Sequence, residues 1–328
     1  MKKTLVALSV LAASTGSVQA FEIYNQDGVT VNMGGDIEVV YLSAKSDDDR
    51  VEDGDSTDLH QEIQDADIKF DVRYAVNDSL QFGGFFELQD TGTNTGDAYV
   101  ALYSDSVGSI KVGRTCTALD DAGIGSDYQF GITTWFSGSD MFCGDEVIRW
   151  DLDKENFYAT VALAQDKNNS SPNGVGTDET YFDARVGYRV ASFDFTLLGG
   201  SGDNQHKHNH TLLGAEARFN GVENLGLAAA FYSTDNDVVK ADTVALSATY
   251  QLDLIALATG VSFDSNDEKG SDNVTSWYVN AGYPIAPNTT AYVEVGADDG
   301  KTETKMSDGV TSVEDHGTGF AIGVKASF

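Results

Sequence analysis

Cys116 and Cys143 are the two cysteines of the 328-residue chain. A cysteine-based zinc site or a disulfide-rich scaffold needs more of them, which leaves one disulfide or two free thiols. His206, His208 and His210 alternate with Lys207 and Asn209, so an extended backbone would carry all three imidazoles on one side, as a metal site requires. Asp47, Asp48 and Asp49 could offer carboxylate oxygens to a divalent cation. Both groups are read as solvated loop tips, and no metal is expected. The other histidines, His60 and His316, stand near no nucleophile elbow, H-E-x-x-H, P-loop or dinucleotide fingerprint. No catalytic residue and no cofactor is expected, and the chain is not read as an enzyme. Charge is the remaining chemical resource. Asp and Glu total 52 against 20 Lys and Arg, a formal charge of −32. Such a chain repels a polyphosphate and has few bases to release counterions, so nucleic acid is excluded as a partner.

The elements that position these charges begin with an address. Lys2 and Lys3 precede an apolar run from Leu5 to Ala13, and Val18-Gln19-Ala20 supplies a small-residue cleavage site. Residues 1–20 are therefore expected to be a secretory signal peptide, cleaved on export, with residues 21–328 as a single domain. Cleavage removes two lysines and no acid, so the mature chain is more acidic still. Beyond Phe21 the pattern is alternation. Phe320, Ile322, Val324, Ala326 and Phe328 fall on one face, and Ala321, Gly323, Lys325 and Ser327 on the other. Successive strand side chains point to opposite faces, so this is a ribbon with one apolar and one small or polar side. The pattern recurs sixteen times, opening near Val29, Asp65, Leu80, Gly96, Ser109, Asp145, Asn156, Glu179, Phe193, His210, Leu225, Ala241, Leu254, Asn273, Thr289 and His316.

Short connections such as Asn77-Asp78-Ser79 and Ala191-Ser192 alternate with long ones, 46–64, 115–144, 166–178 and 298–315. That is the signature of an up-and-down meander. A secreted β-sandwich is the competing fold, but many of these strands run about ten residues, the length that crosses a bilayer when tilted. Closing all sixteen with the apolar face outward removes every edge. Tyr41, Tyr74, Trp150, Phe182, Tyr188, Phe219, Tyr250, Tyr283 and Phe328 lie near strand ends on that face, where amphipathic rings favour the membrane boundary. Pro172 sits in a loop and Pro284 and Pro287 flank a turn, clear of any ladder. The fold expected is all-β: a transmembrane 16-stranded antiparallel up-and-down β-barrel.

Several stretches resemble the trimeric general porins of Gram-negative outer membranes. Phe21 to Val39 is similar to their first strand, Ala66 to Gln89 to their second hairpin, and Val107 to Arg114 to the segment leading into their constriction loop. Val147 to Gln165 is similar to the hairpin that follows, and the terminal Phe328 resembles the signal read by the outer-membrane assembly machinery. The resemblance covers essentially the whole mature chain. It implies a homotrimer of water-filled barrels, set in outer-membrane lipid and lipopolysaccharide, that pass small hydrophilic solutes and ions by diffusion.

It also implies that the connection from Thr115 to Gly144 folds inward and narrows the pore, carrying Asp120, Asp121, Asp127 and Asp140. Strand parity puts Lys69, Arg73, Lys111, Arg149, Arg185, Arg189 and Arg218 on the lumen side. Opposed charges across a narrow pore set up a transverse field that admits polar solutes and sets ion selectivity. The positions near Asp67 and Gly96, basic in the better-known porins, are not basic here. With the acidic charge, this predicts a cation-preferring channel. Cys116 and Cys143 bracket the loop at the ends of neighbouring strands, so a disulfide pinning its base is expected, with two free thiols as the alternative. A substrate-specific channel, for a sugar for example, is the alternative function. It would need an aromatic track in the lumen, and Tyr158, Tyr278, Trp135 and Phe136 are few for that.

Overall fold

The computed structural model describes residues 21–43, 59–89, 94–132, 142–167, 179–203, 209–268, 272–305 and 311–328. Residues 1–20, Asp47 to Asp49, Trp135, Phe136, Asp140, Pro172, His206 and His208 lie outside them. The strands are β1 Phe21–Gln26, β2 Val29–Ser43, β3 His60–Asn77, β4 Leu80–Gln89, β5 Asn94–Ser104 and β6 Gly108–Cys116. Next come β7 Cys143–Asp153, β8 Phe157–Asp166, β9 Glu179–Val190, β10 Phe193–Asp203, β11 Asn209–Val222 and β12 Leu225–Asp235. The chain ends with β13 Lys240–Leu252, β14 Ile255–Asn266, β15 Val274–Ala286, β16 Thr289–Asp298, β17 Lys301–Lys305, β18 Thr311–Asp315 and β19 Thr318–Ser327.

Strands β2 to β16 pair antiparallel in chain order, and β19 pairs with both β16 and β2, which closes a sixteen-stranded barrel. Closure satisfies every ladder without leaving an edge, the condition for crossing a bilayer. The alternation reads out as expected. Val72, Tyr74, Phe82, Phe86, Tyr188, Leu213, Val279 and Ile322 project outward and are exposed, while Asp183, Glu216, Tyr278 and Glu294 are buried inside. An outer wall this apolar would be costly in water, at about 25 cal/mol per Å². A bilayer is the medium that removes the cost. The aromatic residues expected at strand ends do face outward, among them Tyr74, Tyr188, Tyr250 and Tyr283.

The structure departs from the sequence reading in four places. The first strand is broken at Asp27-Gly28, both at positive φ, into the hairpin β1–β2, as suits a tight two-residue turn. Strand β3 opens at His60 rather than near Asp65, because a bulge that leaves Gln64 unpaired lets the ladder to β2 continue past a break in the alternation. Pro284 lies inside β15, beside a bulge at Ile285 in its pairing with β16, so its missing N–H falls where the ladder is already irregular. The last long connection contains a hairpin of its own, β17–β18.

Strands β1 and β19 share one place in the wall. Both pair with β2, β1 along Val29–Met33 and β19 along Asp36–Ser43. Phe328 lies where they meet. Its N–H donates to the Gly35 carbonyl at 2.9 Å and its carbonyl accepts from the Gly35 N–H at 2.8 Å. A Cβ at Gly35 would stand 2.8 Å from the Phe328 ring, so the glycine makes room for the terminal aromatic.

The short turns sit at one end of the barrel and place Asn224, Asp253 and Asn288 in the left-handed region, which short polar side chains tolerate. Ala191 occupies the same region at φ 53° without that help. Ala191→Gly is expected to stabilise the barrel by about 0.5–1 kcal/mol, the left-handed strain of alanine less the added chain entropy of glycine. Equilibrium urea unfolding in lipid vesicles measures this; a lower midpoint would contradict it.

Candidate functional site

The connection between β6 and β7 turns into the barrel. It begins at Cys116 and Cys143, direct cross-strand partners joined by a disulfide, and continues into a 3-10 turn, Ala118–Asp121. It then runs along the inner wall, passing β9, β11, β13, β15, β16 and β2 in turn. Wall carboxylates hold its backbone. The Asp183 carboxylate on β9 accepts the N–H groups of Ala118 and Leu119 at 3.1 and 3.0 Å. Glu216 on β11 accepts from Gly123 at 2.7 Å. Glu294 on β16 accepts from Tyr128, Gln129 and Phe130 at 2.6–2.9 Å. These carboxylates are 1%, 3% and 1% exposed. A buried carboxylate is costly unless hydrogen-bonded, and the loop amides are the donors. The loop carbonyls are met too: Ser247 donates to Ile124 at 2.7 Å and Asn280 to Ser126 at 2.8 Å. Leu119 and Ile124 pack with Val147, Leu198, Leu212 and Tyr232 in an apolar seam between loop and wall.

Lumen tyrosines make the rest of the seat. Tyr158, Tyr232, Tyr278 and Tyr292 face Gly187, Gly214, Gly260 and Gly323 across the ladder. A Cβ at any of these glycines would come within 1.9–2.9 Å of the facing ring, so the rings lie flat over bare backbone. Their hydroxyls serve the loop or the carboxylates. Ser126 N–H donates to the Tyr278 oxygen at 2.7 Å, Tyr232 donates to Glu216 at 2.8 Å, and Tyr292 donates to Glu38 at 2.6 Å. Tyr128 of the loop stacks on Tyr292 at 4.0 Å.

Among the loop acids, Asp121 bridges Arg149 at 2.6 Å and Arg185 at 3.1 Å. Asp120 follows Leu119 in the 3-10 turn, where burial and the neighbouring Asp121 raise its carboxyl above the ordinary range and Arg149 opposes the rise. Asp127 is exposed and lies beside Gly125 and Gly131 of its own loop. Arg149 also donates to the carbonyls of Cys116 and Thr117, so it clamps the loop's first residues. Arg218 meets the loop through the Gly123 carbonyl and pairs with Glu216 at 2.7 Å. The other expected bases pair with wall acids instead of with the loop. Lys69 lies 3.6 Å from Asp36 and 3.7 Å from Glu87, Arg73 2.8 Å from Asp71, Lys111 3.2 Å from Asp151, and Arg189 2.6 Å from Asp153. Lys325, absent from the sequence expectation, stands 3.3 Å from Glu38. Its lumen parity in the C-terminal strand was the available signal.

Parity also marks a group passed over in the sequence. Phe85, Tyr99 and Tyr103 face the lumen on β4 and β5, opposite Phe86, Val100 and Leu102 on the outer wall. Tyr158, expected inward, has the Arg185 and Arg189 guanidiniums 4.8 and 4.5 Å from its ring centre. His210 stacks on Tyr181. His60 and His316 sit 2.5 Å from Glu62 and Asp298. Among the described residues, Asp36, Asp65 and Asp67 bring carboxylate oxygens within 4.8 Å of one another, with Lys325 3.8–3.9 Å from Asp36 and Asp65.

Two outcomes follow from this seat. Glu294→Ala strands three loop amides, each charge-assisted bond being worth about 1.5–3 kcal/mol; single-channel recording is expected to show higher conductance with added flicker, and an unchanged trace would contradict the anchoring. Maleimide labelling of unreduced, denatured protein is expected to modify no cysteine, and both after reduction; two labelled thiols before reduction would exclude the disulfide.

Residues 7–303 match the family model described as Gram-negative porin. Porin-like protein H of Photobacterium profundum is 27% identical over 326 residues, covering 91% of this chain and 95% of the relative. Outer membrane protein U of Vibrio vulnificus is 31% identical over 233 residues, 66% of this chain and 64% of the relative. Among solved structures, outer-membrane expressed OmpT of Vibrio cholerae superposes with a TM-score of 0.73 at 17% identity, covering 94% of this chain and all of that one. An anion-selective porin from Comamonas acidovorans gives 0.71 at 13% identity, covering 92% and 100%. The chain belongs to the Gram-negative porin family and is an outer-membrane β-barrel channel for small solutes.

Proposed function

We propose that the chain is a general diffusion porin with a preference for cations, working as a homotrimer and passing small hydrophilic solutes and ions. The pairing of lumen charge carries this reading. Each of the eight lumen bases, Lys69, Arg73, Lys111, Arg149, Arg185, Arg189, Arg218 and Lys325, has a carboxylate within 4.0 Å. Among the described residues ten carboxylates lie within 4.0 Å of these eight bases, and Asp97 and Asp120 stand beyond those partners. A low-dielectric tube lined with surplus negative charge concentrates cations. The acidic side of the constriction is assigned to Asp120, Asp121 and Asp127, with Asp140 outside the described residues.

The fold leaves the sign of selectivity open, since an anion-selective porin has a similar barrel. The surplus of lumen carboxylates supports a preference for cations. Trimerisation rests on resemblance, and one Vibrio cholerae OmpT neighbour is described in a trimer form. Outer-membrane lipid and lipopolysaccharide around the apolar wall, and an assembly machinery that reads Phe328, belong to the same reading. So does export directed by residues 1–20.

Planar-bilayer recording under a KCl gradient tests it. A cation-signed reversal potential and closure in three equal steps are expected. An anion-signed potential would overturn the selectivity, and single-step closure would overturn the trimer. Acid works in a set direction: Asp120, its pKa raised, takes up a proton at a higher pH than an ordinary aspartate. The reversal potential is therefore expected to fall toward zero as pH is lowered from 7 to 4, and a potential that grows would contradict the carboxylate origin.

A further inference from the structure

The loop seat accounts for the tyrosines of β8 to β16, but not for the aromatic residues of β4 and β5. Phe85 and Tyr99 are cross-strand partners with rings stacked at 5.2 Å and 11°. Tyr103 lies four residues along the same face of β5 from Tyr99, which puts the three rings on one stretch of lumen wall. None of the described loop bonds reaches them. Phe85 is the informative member. Its strand sends Phe82 and Phe86 outward to lipid, whereas Phe85 faces a water-filled lumen with an apolar ring that remains partly exposed. A partly exposed apolar ring stacked on a tyrosine offers a flat face to the C–H groups of a passing solute.

We propose that Phe85 and Tyr99, flanked by Tyr103, form a docking surface for neutral pyranose rings in transit, a proposal that rests on the diffusion-pore reading and adds a solute class to it. The surrounding charges select that class. Arg73 lies over the Tyr103 ring at 4.0 Å and Lys111 5.6 Å from the centre of the Tyr99 ring, so a cationic solute meets like charge at those rings. Asp71, partnered by Arg73, and Asp151, partnered by Lys111, repel an anion. A neutral pyranose avoids both penalties. It lays its C–H face on the Phe85–Tyr99 pair, the Tyr103 ring being covered by Arg73, and turns its hydroxyls to the Asp71–Arg73 pair, whose groups both donate and accept. Acyclic polyols carry the same hydroxyls without the flat face.

Proteoliposome swelling separates the two. Wild-type protein is expected to pass glucose about twofold or more faster than sorbitol, a solute of similar size without a ring. Maltotriose is expected to add current noise in single channels. Phe85→Ala should abolish both effects while KCl conductance and reversal potential stay as in wild type, and Tyr99→Phe should retain them. Equal glucose and sorbitol rates in wild type, or maltotriose noise that survives Phe85→Ala, would overturn the proposal. KCl conductance verifies that each variant folds. Absence of swelling with every solute would instead remove the pore reading itself, and the proposal with it.

Discussion

Three carboxylates inside a membrane barrel, Asp183, Glu216 and Glu294, need hydrogen-bond donors, and the loop after β6 supplies them from its backbone. This constraint organises the lumen. An ionised carboxylate left dry would be prohibitive, and a loop laid against a wall would strand its own amides. Each side removes the other's penalty. The loop's path is therefore set by where the wall offers acceptors: β9, then β11, then β16. Its first residues are fixed separately, by the disulfide and by Arg149 on the carbonyls of Cys116 and Thr117. Backbone donors also make the seat indifferent to many loop side chains, which stay available to shape the opening.

The barrel wall adapts to this load. Glycine in a strand has no side chain to pack, and on the lumen side it would leave hollows in the wall. Tyrosines from the adjacent strand fill them, Tyr278 over Gly260 and Tyr292 over Gly323, and their hydroxyls extend to Ser126 and Glu38. The same pairing brings rings and carboxylates to one height, so the seat for the loop is both apolar and charged. On β3 to β6 the rule changes. There the bases pair within the wall, and Arg73 and Lys111 lie beside aromatic rings rather than beside the loop.

The closed sheet was legible because its signal is local. Period-two alternation and the difference between short and long connections are written into each segment, and lipid outside and water inside enforce them on every strand. Departures occur where a local irregularity needs its partner strand to make sense: the bulge at Gln64, Pro284 at the end of β15, and the break at Asp27-Gly28. The site was legible only as a set of lumen-facing residues. Parity says that Glu294 and Tyr278 point inward. It cannot say that they meet Tyr128 and Ser126, because those contacts join segments more than 150 residues apart. Phe85 was missed for another reason: in a strand rich in phenylalanine, one more apolar residue does not stand out until the register shows which face it takes.

The same limit explains why opposed charge, expected between loop and wall, is mostly resolved within the wall. In an antiparallel sheet, residues two apart on one strand and those diagonally placed on the next share a face, so Arg73 with Asp71, and Lys111 with Asp151, reach one another with little rearrangement. Pairing through space to a loop requires the loop to be in place first. Among the described residues, Arg149 and Arg185, which lie under the 3-10 turn, make that longer connection, both to Asp121. The lumen field is then set less by base against acid across the opening than by acids in excess of local pairs. Such a field depends on the number of carboxylates more than on any one of them. A porin of this construction can therefore vary single lumen charges and keep its polarity, while a change at Glu294 or Asp183 reaches the loop's position first.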